Sequence, residues 1–355
     1  MKFIHCADVH LDSRLSANLS AAKSKQRRTE ILNTFCNLVK YAAQESVDAV
    51  IIAGDLFDSD RLSPVTRDMV LSEIQAAKNV DFLYLSGNHD SGKTLTDCEL
   101  PENLHLFSDE WSSFDYGNVC ITGVELNENN FTSIYSSLIL DKDRLNIVVM
   151  HGEASSSSNV NSVNISKLAN RNIDYLALGH YHEYSKGKID NRGEWCQAGC
   201  LEGRGFDECG DKGFVLIETD GKEYESRFVK FSKRDILCIK CDVSGIADIG
   251  DMLAKIVSSV ENISNEAMVR VELFGDLPEG ARKDMTLFGE RLSDMFYSAK
   301  IVDKTRLLIC PEDFIGDVSL KGEFIRLVFS AELDDETKSL VSEIGLAALA
   351  GREVL

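Results

Sequence analysis

Five short stretches of the 355-residue chain gather carboxylates, an amide and imidazoles at the ends of apolar runs. In order they are Asp8-Val9-His10, Gly54-Asp55-Leu56-Phe57-Asp58, Gly87-Asn88-His89-Asp90, His151-Gly152 and Gly179-His180-Tyr181-His182. Five of the seven histidines fall inside them; only His5 and His105 lie outside. Neutral imidazole nitrogen and carboxylate oxygen suit Mn, Fe or Zn. Two such ions side by side can bind a phosphate ester and activate a water between them. Taken singly the motifs are weak, because a lone His-Gly or Asp-x-His is ordinarily a turn or a satisfied core residue. Recurrence at five run ends is what points to a metal centre and an enzyme.

The runs themselves, residues 2–6, 49–53, 82–86, 145–150 and 175–178, are rich in Val, Ile, Leu, Phe and Tyr and read as buried strands. Each is followed within a residue or two by its candidate ligands, so one edge of a sheet would carry them all. Asp8 and His10 are two apart, as are His180 and His182, and each pair shares a side if the backbone stays extended. Residues 29–43 place Ile31, Leu32, Phe35, Leu38, Val39 and Ala42 at helical spacing. Pro64 opens a second helix expected to reach residue 78. Residues 119–125 read as another strand, and the serine-rich run 153–164 as a mobile loop beside the site or a disordered spacer. From 195 to 231, strand-like segments are interrupted by a Gly-rich turn at 199–213. This order predicts an α/β (α+β) chain built as a two-sheet β-sandwich flanked by helices over residues 1–232. Residues 233–310 then read β-α-β-α-β, a small α+β unit. Residues 311–355 form an amphipathic helical tail, which either packs on its own protein or binds a partner.

Composition is that of a soluble globular protein, 44% hydrophobic and 27% charged. No apolar stretch approaches the roughly 18 residues of a membrane span. The N-terminus enters a strand at once, so no export signal is expected, and the ten scattered cysteines read as reduced thiols in the cytoplasm. Cys238 and Cys241 form a CxxC in a strand-like run, where that spacing puts them on opposite faces as packing residues. A net charge of −20 disfavours a nucleic-acid substrate, since phosphate contacts need Lys and Arg. The stretch 14–28, with five basic residues and no acidic one, reads either as a solvated loop leading into a helix or as a DNA contact.

The motifs and their order resemble the calcineurin-like metallophosphoesterase superfamily and, more narrowly, the YhaO-like branch of the SbcD-type DNA repair exonucleases. The narrower likeness rests on Phe3-Ile4-His5-Cys6-Ala7-Asp8-Val9-His10-Leu11-Asp12, on Gly54 through Asp58, and on Gly199-Cys200-Leu201-Glu202-Gly203-Arg204-Gly205-Phe206-Asp207-Glu208 with Lys212-Gly213-Phe214 after it. It covers residues 1–230, and the following small domain matches the family's cap in outline only. The resemblance implies metallophosphoesterase architecture, with Asp8, His10 and His182 on one divalent ion, Asn88, His151 and His180 on the other, and Asp55 bridging both. It implies that His89 contacts the scissile phosphate and helps protonate the leaving oxygen, with Asp58 orienting its ring. Asp58 taken by itself also fits a helix or turn cap. Arg204 would either clamp a phosphate bidentately or make a structural salt bridge. The resemblance further implies Mn2+ as the preferred metal, DNA as substrate, an SbcC- or YhaN-like ATPase engaged through the tail, and a homodimer. A small-molecule phosphodiesterase or phosphomonoesterase would use the same centre, and the acidic charge favours it. A non-catalytic scaffold is the third reading, opposed by the presence of every expected ligand.

Overall fold

The apolar runs become central strands covered on both faces, which is why they read as unbroken hydrophobic sequence rather than as alternation. The computed structural model describes residues 1–355 apart from 16–18, 60–61, 91–94, 96–97, 279, 350 and 352–355. Within the unit Met1–Asp235 there are two six-stranded sheets. The first holds β1 (Lys2–Cys6), β2 (Ala49–Ala53), β3 (Asp81–Leu85), β4 (Leu104–Leu106), β13 (Gly213–Thr219) and β14 (Tyr224–Lys230), in the order β14-β13-β1-β2-β3-β4. The second holds β5 (Ser112–Tyr116), β6 (Val119–Gly123), β7 (Leu145–His151), β10 (Tyr175–Gly179), β11 (Ser185–Lys188) and β12 (Glu194–Gln197), in the order β11-β12-β10-β7-β6-β5. Strands β1 to β4 are mutually parallel, as are β6, β7, β10 and β12. Parallel strands send their following loops out at one end, so ligands distant in sequence leave the sheets together.

Side chains alternate strictly between two cores. Phe3, Ala49, Ile51 and Leu83 of the first sheet meet Ile147, Val149, Tyr175 and Ala177 of the second. Ile4, Val50, Ile52 and Phe82 face outward onto helices α1 (Ala21–Gln44) and α2 (Pro64–Ala76). The second sheet turns Val148, Leu176 and Leu178 to the short helices α3 (Ile134–Ser137) and α4 (Ile165–Leu168). The result is the expected sandwich with helices outside. Toward the ligand end the inner faces narrow to Ala7, Ala53 and Gly179. A Cβ on Gly179 would lie 2.1 Å from the Ala53 carbonyl oxygen and 2.9 Å from His151 Nδ1.

Three local expectations change. Helix α1 starts at Ala21, not 29, because Ser20 caps it by accepting from the Lys23 N–H. The basic stretch is therefore largely helix, its residues 16–18 lying outside the described residues. One of its five cations, Arg27, is fully buried against Glu202 (2.8 Å), the Gly203 carbonyl (2.6 Å) and Glu30 (2.5 Å). Glu202 also accepts from Thr34 and from the backbone N–H groups of Lys233 and Arg234, so one buried carboxylate braces α1, the 199–213 turn and the chain beyond β14. The serine-rich run contains two paired strands, β8 (Glu153–Ser155) and β9 (Ser162–Asn164), rather than a structureless loop. Val163 anchors it in the core, and Asn164 donates to Ser156 O at 2.7 Å while its backbone N–H meets the Tyr135 hydroxyl.

The unit Ile236–Leu355 is a three-stranded parallel sheet, β15 (Ile236–Asp242), β16 (Met268–Leu277) and β17 (Ser298–Leu307), with α5 (Ile249–Val260) and α6 (Met285–Met295). Met252, Ile256, Phe288 and Leu292 of the helices cover Val269, Val271 and Leu273 of β16. Cys241 faces this core, while Cys238 lies on the other face beside Arg270; all ten cysteines are free. A short turn at Pro311–Phe314 leads to α7 (Leu320–Ser330) and α8 (Asp335–Leu349), which meet where Phe324 approaches Gly345, while Ile325 and Val328 of α7 are buried. No described helix is long and apolar enough to cross a membrane.

Gly179→Ala tests how closely the sheets approach. The added methyl has no space beside Ala53 O, and overpacking of this kind costs about 1–3 kcal/mol. Gly205→Ala, with nothing within 4 Å of its Cβ, should stay within about 0.5 kcal/mol of the parent. Urea midpoints of the two variants measure the difference; equal midpoints would contradict the close approach.

Candidate metal centre

Beyond β1 and β2 the two chains continue side by side as loops. Asp8 N–H donates to Gly54 O, His10 N–H to Asp55 O and Leu11 N–H to Leu56 O, at 2.9–3.1 Å, and Asp58 N–H returns the bond to Leu11 O. The ladder holds a backbone that is not extended. Asp8, His10, Asp55 and His180 all have positive φ, at 50, 48, 51 and 85°. Left-handed backbone at non-glycine residues is uncommon and is kept only where the surroundings over-determine it. The expectation of an extended Asp8–His10 segment is thus replaced: both side chains reach the centre from left-handed positions. Their convergence comes from the loop ladder, not from strand alternation.

The donors of both sheets meet. His10 Nε2 and His182 Nε2 lie 3.2 Å apart, and Asp8, His10 and His182 offer ligand atoms all within 4.8 Å of one another. Asp55, His151 and His180 form a second such group, joined by Asn88 Oδ1 at 3.0 Å from His151 Nε2 and 2.9 Å from His180 Nδ1. Asp55 Oδ2 stands between the groups, 3.7 Å from His10 Nε2 and 3.5 Å from His151 Nε2. Ligand atoms at about 2.1 Å from one ion and at right angles are about 3 Å apart, so these spacings fit divalent cations.

Neighbours fix which nitrogen faces inward. His151 Nδ1 is 2.9 Å from the Ala53 carbonyl, an acceptor only, so Nδ1 carries the proton and Nε2 keeps its lone pair for the centre. His182 Nδ1 donates to Glu208 Oε1 at 2.7 Å with the same effect. His10 Nδ1 lies 3.1 Å from Asp58 Oδ1, too oblique for a good hydrogen bond. The amide of Gln197 donates to Gly152 O and Gly179 O, binding the ends of β7 and β10. Asp90 accepts from Tyr84 OH, Phe57 N–H and Gly87 N–H, which sets the Asn88–His89 turn against the Asp55 loop.

Electrostatics favour a cation here. Asp8 and Asp55 are 0% and 1% exposed, and among the described residues Asp8 accepts only from the His180 backbone N–H. Burial opposes charge on Asp55, but His151, His10 and the His89 N–H outweigh it and hold its carboxyl well below the usual range. Burial likewise disfavours a charged His151 ring, yet Asp55 and Asp8 push it up to about 9 in the metal-free chain, so a cation at Nε2 would take the place of a proton. Two buried carboxylates facing lone pairs of imidazole and amide are a site that gains from positive charge, and the donor set suits divalent ions.

The sequence-derived residues Asp8, His10, Asp55, Asn88, His151, His180 and His182 are therefore all brought together. His89 adjoins them, its ring 4.8 Å from that of His10 and its side chain 45% exposed, while its N–H donates to Asp55 Oδ1 at 2.9 Å. Asp58 is 4.0 Å from His89 Nδ1 and closer to His10. Arg204 directs Nε and Nη2 to Glu208 and Nη1 to Asp58, the geometry of a structural ion pair beside the centre. Sequence reasoning passed over Glu208, Asp90, Gln197 and Lys212, whose Nζ donates to His182 O at 2.7 Å. Asp90 of Gly-Asn-His-Asp, Glu208 of the Gly-rich turn and Lys212 of Lys-Gly-Phe stood inside motifs already noted; Gln197 carried no signal. His5, outside the motifs, is a buried core residue bonded to Tyr175 OH and Leu178 O, and burial lowers its pKa to about 3. Beside Asn88 and His151 opens a pocket of about 230 Å3, bounded by Leu126, Val160, Asn127 and Asn161.

Known proteins are similar to this chain in sequence. The metallophosphoesterase YhaO of Bacillus subtilis is 26% identical over 79% of this chain and 73% of its own length. The DNA double-strand break repair protein Mre11 of Sulfolobus acidocaldarius is 25% identical over 81% of the chain and 78% of that protein. Mre11 of Methanosarcina mazei is 26% identical over 78% of the chain, which spans 45% of that longer relative. The calcineurin-like phosphoesterase family model matches residues 1–184, through β1, β2, β3, β7 and β10 and every donor named above. The chain belongs to the calcineurin-like phosphoesterase family, and is a hydrolase of phosphoester bonds.

Proposed function

We propose that the chain is a two-metal phosphodiesterase acting on DNA, a nuclease subunit of an SbcCD-like repair assembly. The observation that carries the metal reading is Asp55 Oδ2, which stands 3.7 and 3.5 Å from imidazole nitrogens of two separate donor groups. One ion would be held by Asp8, His10 and His182, the other by Asn88, His151 and His180, with Asp55 shared. Ions bound there neutralise charge on a phosphate and supply an acidified water. The chain's own groups do the rest. His89, exposed at the rim, would carry a proton toward the leaving oxygen, with Asp58 4.0 Å from its Nδ1; burial opposes the charge on Asp58, but His10, Arg204 and His89 keep it ionised. Manganese is the family-based choice among ions this donor set accepts.

DNA as substrate is supported by the relatives named for double-strand break repair. The unit after residue 235 would cap or guide a large substrate. Its tail leaves Leu320, Leu327, Leu340 and Ile344 between 45 and 71% exposed, which supports docking of an ATPase subunit there, in the cytoplasm. The net charge of −20 favours the second reading, a small phosphodiester taken into the pocket beside Asn88.

Three measurements test these assignments. His89→Ala should lower phosphodiesterase turnover about 10²- to 10⁴-fold while Mn2+ binding persists; unchanged turnover refutes its role. Mn2+ at a hundred times its dissociation constant should add about 2.7 kcal/mol per site, and EDTA should remove that gain. At roughly 2–4 °C per kcal/mol the shift is easily read in a thermal melt. Finally, turnover is compared on linear duplex DNA, single-stranded DNA and bis-p-nitrophenyl phosphate. Cleavage of DNA supports the nuclease reading, and activity confined to the small ester sinks it.

A further inference from the structure

Glu208 lies in none of the five ligand motifs, yet its carboxylate gathers more hydrogen bonds than any other beside the centre. Oε1 accepts from His182 Nδ1 at 2.7 Å and from Arg204 Nη2 and Nε at 2.7 and 3.0 Å. Oε2 accepts the Arg204 backbone N–H at 2.7 Å. The residue is 8% exposed. Through its third arm Arg204 reaches Asp58 Oδ1 at 3.1 Å, and that oxygen lies 3.1 Å from His10 Nδ1. His182, whose Nε2 lies 3.2 Å from His10 Nε2, is therefore backed by one carboxylate, and a single guanidinium joins that carboxylate to Asp58 beside His10. In the other group His151 is backed by a neutral acceptor, the Ala53 carbonyl. The asymmetry is chemical. An anionic acceptor behind an imidazole raises the basicity of the far nitrogen and locks its orientation more firmly than a neutral one.

We propose that Glu208 is a positioning residue that acts through His182 and sets the affinity of the Asp8–His10–His182 ion site separately from that of the other site. Arg204 couples it to Asp58, so the guanidinium serves this brace. The inference rests on the two-metal reading above and adds which site is tuned, and by what. A purely structural role, holding the 199–213 turn closed, would alter stability without distinguishing the two sites.

The test is calorimetric titration of metal-free full-length protein with Mn2+, for the parent and Glu208→Gln, which keeps the shape but removes the charge. The parent should bind two ions. Glu208→Gln should weaken one binding event about 10- to 100-fold and leave the other as in the parent. The Mn2+ concentration for half-maximal phosphodiesterase activity should rise by a similar factor. Two unchanged events, or equal weakening of both, overturns the proposal. If Glu208→Gln does not fold, Glu208→Asp is used; it keeps the Arg204 charge pair but retracts from His182, and must show the same one-site loss or the proposal fails. A parent protein that binds fewer than two ions instead refutes the two-metal reading itself, a result distinct from either outcome for Glu208.

Discussion

Asp55 occupies the seam between two sheets, and its buried carboxylate is the group on which the centre turns. One oxygen accepts the His89 N–H, the other faces His10 from the first sheet and His151 from the second. A carboxylate that is 1% exposed must be compensated, and its neighbours are placed to do so only while both sheets keep their register. The small inner residues at this end follow from that demand. With Ala53 O and His151 Nδ1 so near Gly179, any larger side chain would push β10 away and take His180 and His182 with it.

Rigidity is built into the backbone as much as into the side chains. Left-handed conformations at Asp8, His10, Asp55 and His180 each disfavour the free loop, and they persist because the β1 and β2 loops bond rung by rung. Asp90 fastens the third loop to the second through Phe57 N–H and Tyr84 OH, and Gln197 fastens the ends of β7 and β10. A centre assembled in this way is pre-organised, so binding a cation reorders little of the chain.

What could be read from sequence follows from these same constraints. Strands buried on both faces leave dense apolar runs, and the polar residues at their ends leave Asp, Asn and His in fixed order, so the sandwich and the gathering of the seven candidate ligands were legible. Helix α1 was mis-started because its first turns are polar and only the Ser20 cap marks their beginning. The run 153–164 looked structureless since its order comes from Asn and Ser side chains bonding backbone, with Val163 the one fully buried apolar anchor. Left-handed φ at Asp8 and His10 was invisible, because neither residue type announces it. Arg204 could be a phosphate clamp or a brace until Glu208 was seen beside it, and that pairing depends on a turn with no periodic pattern.

The negative charge of the chain bears on how such a site works. Phosphate approaching a protein of net charge −20 meets repulsion unless cations sit in the path. Arg27 of the basic stretch is buried against Glu202 and unavailable to a substrate, and Arg204 is held by Glu208 and Asp58. Both guanidiniums are thus withdrawn into braces, while Arg14, Lys25 and Arg28 of the same stretch stay exposed. On the two-metal reading proposed above, ions in the centre would add to the attraction for an anionic ester, and the carboxylate behind His182 would then bear on substrate approach as well as on reaction.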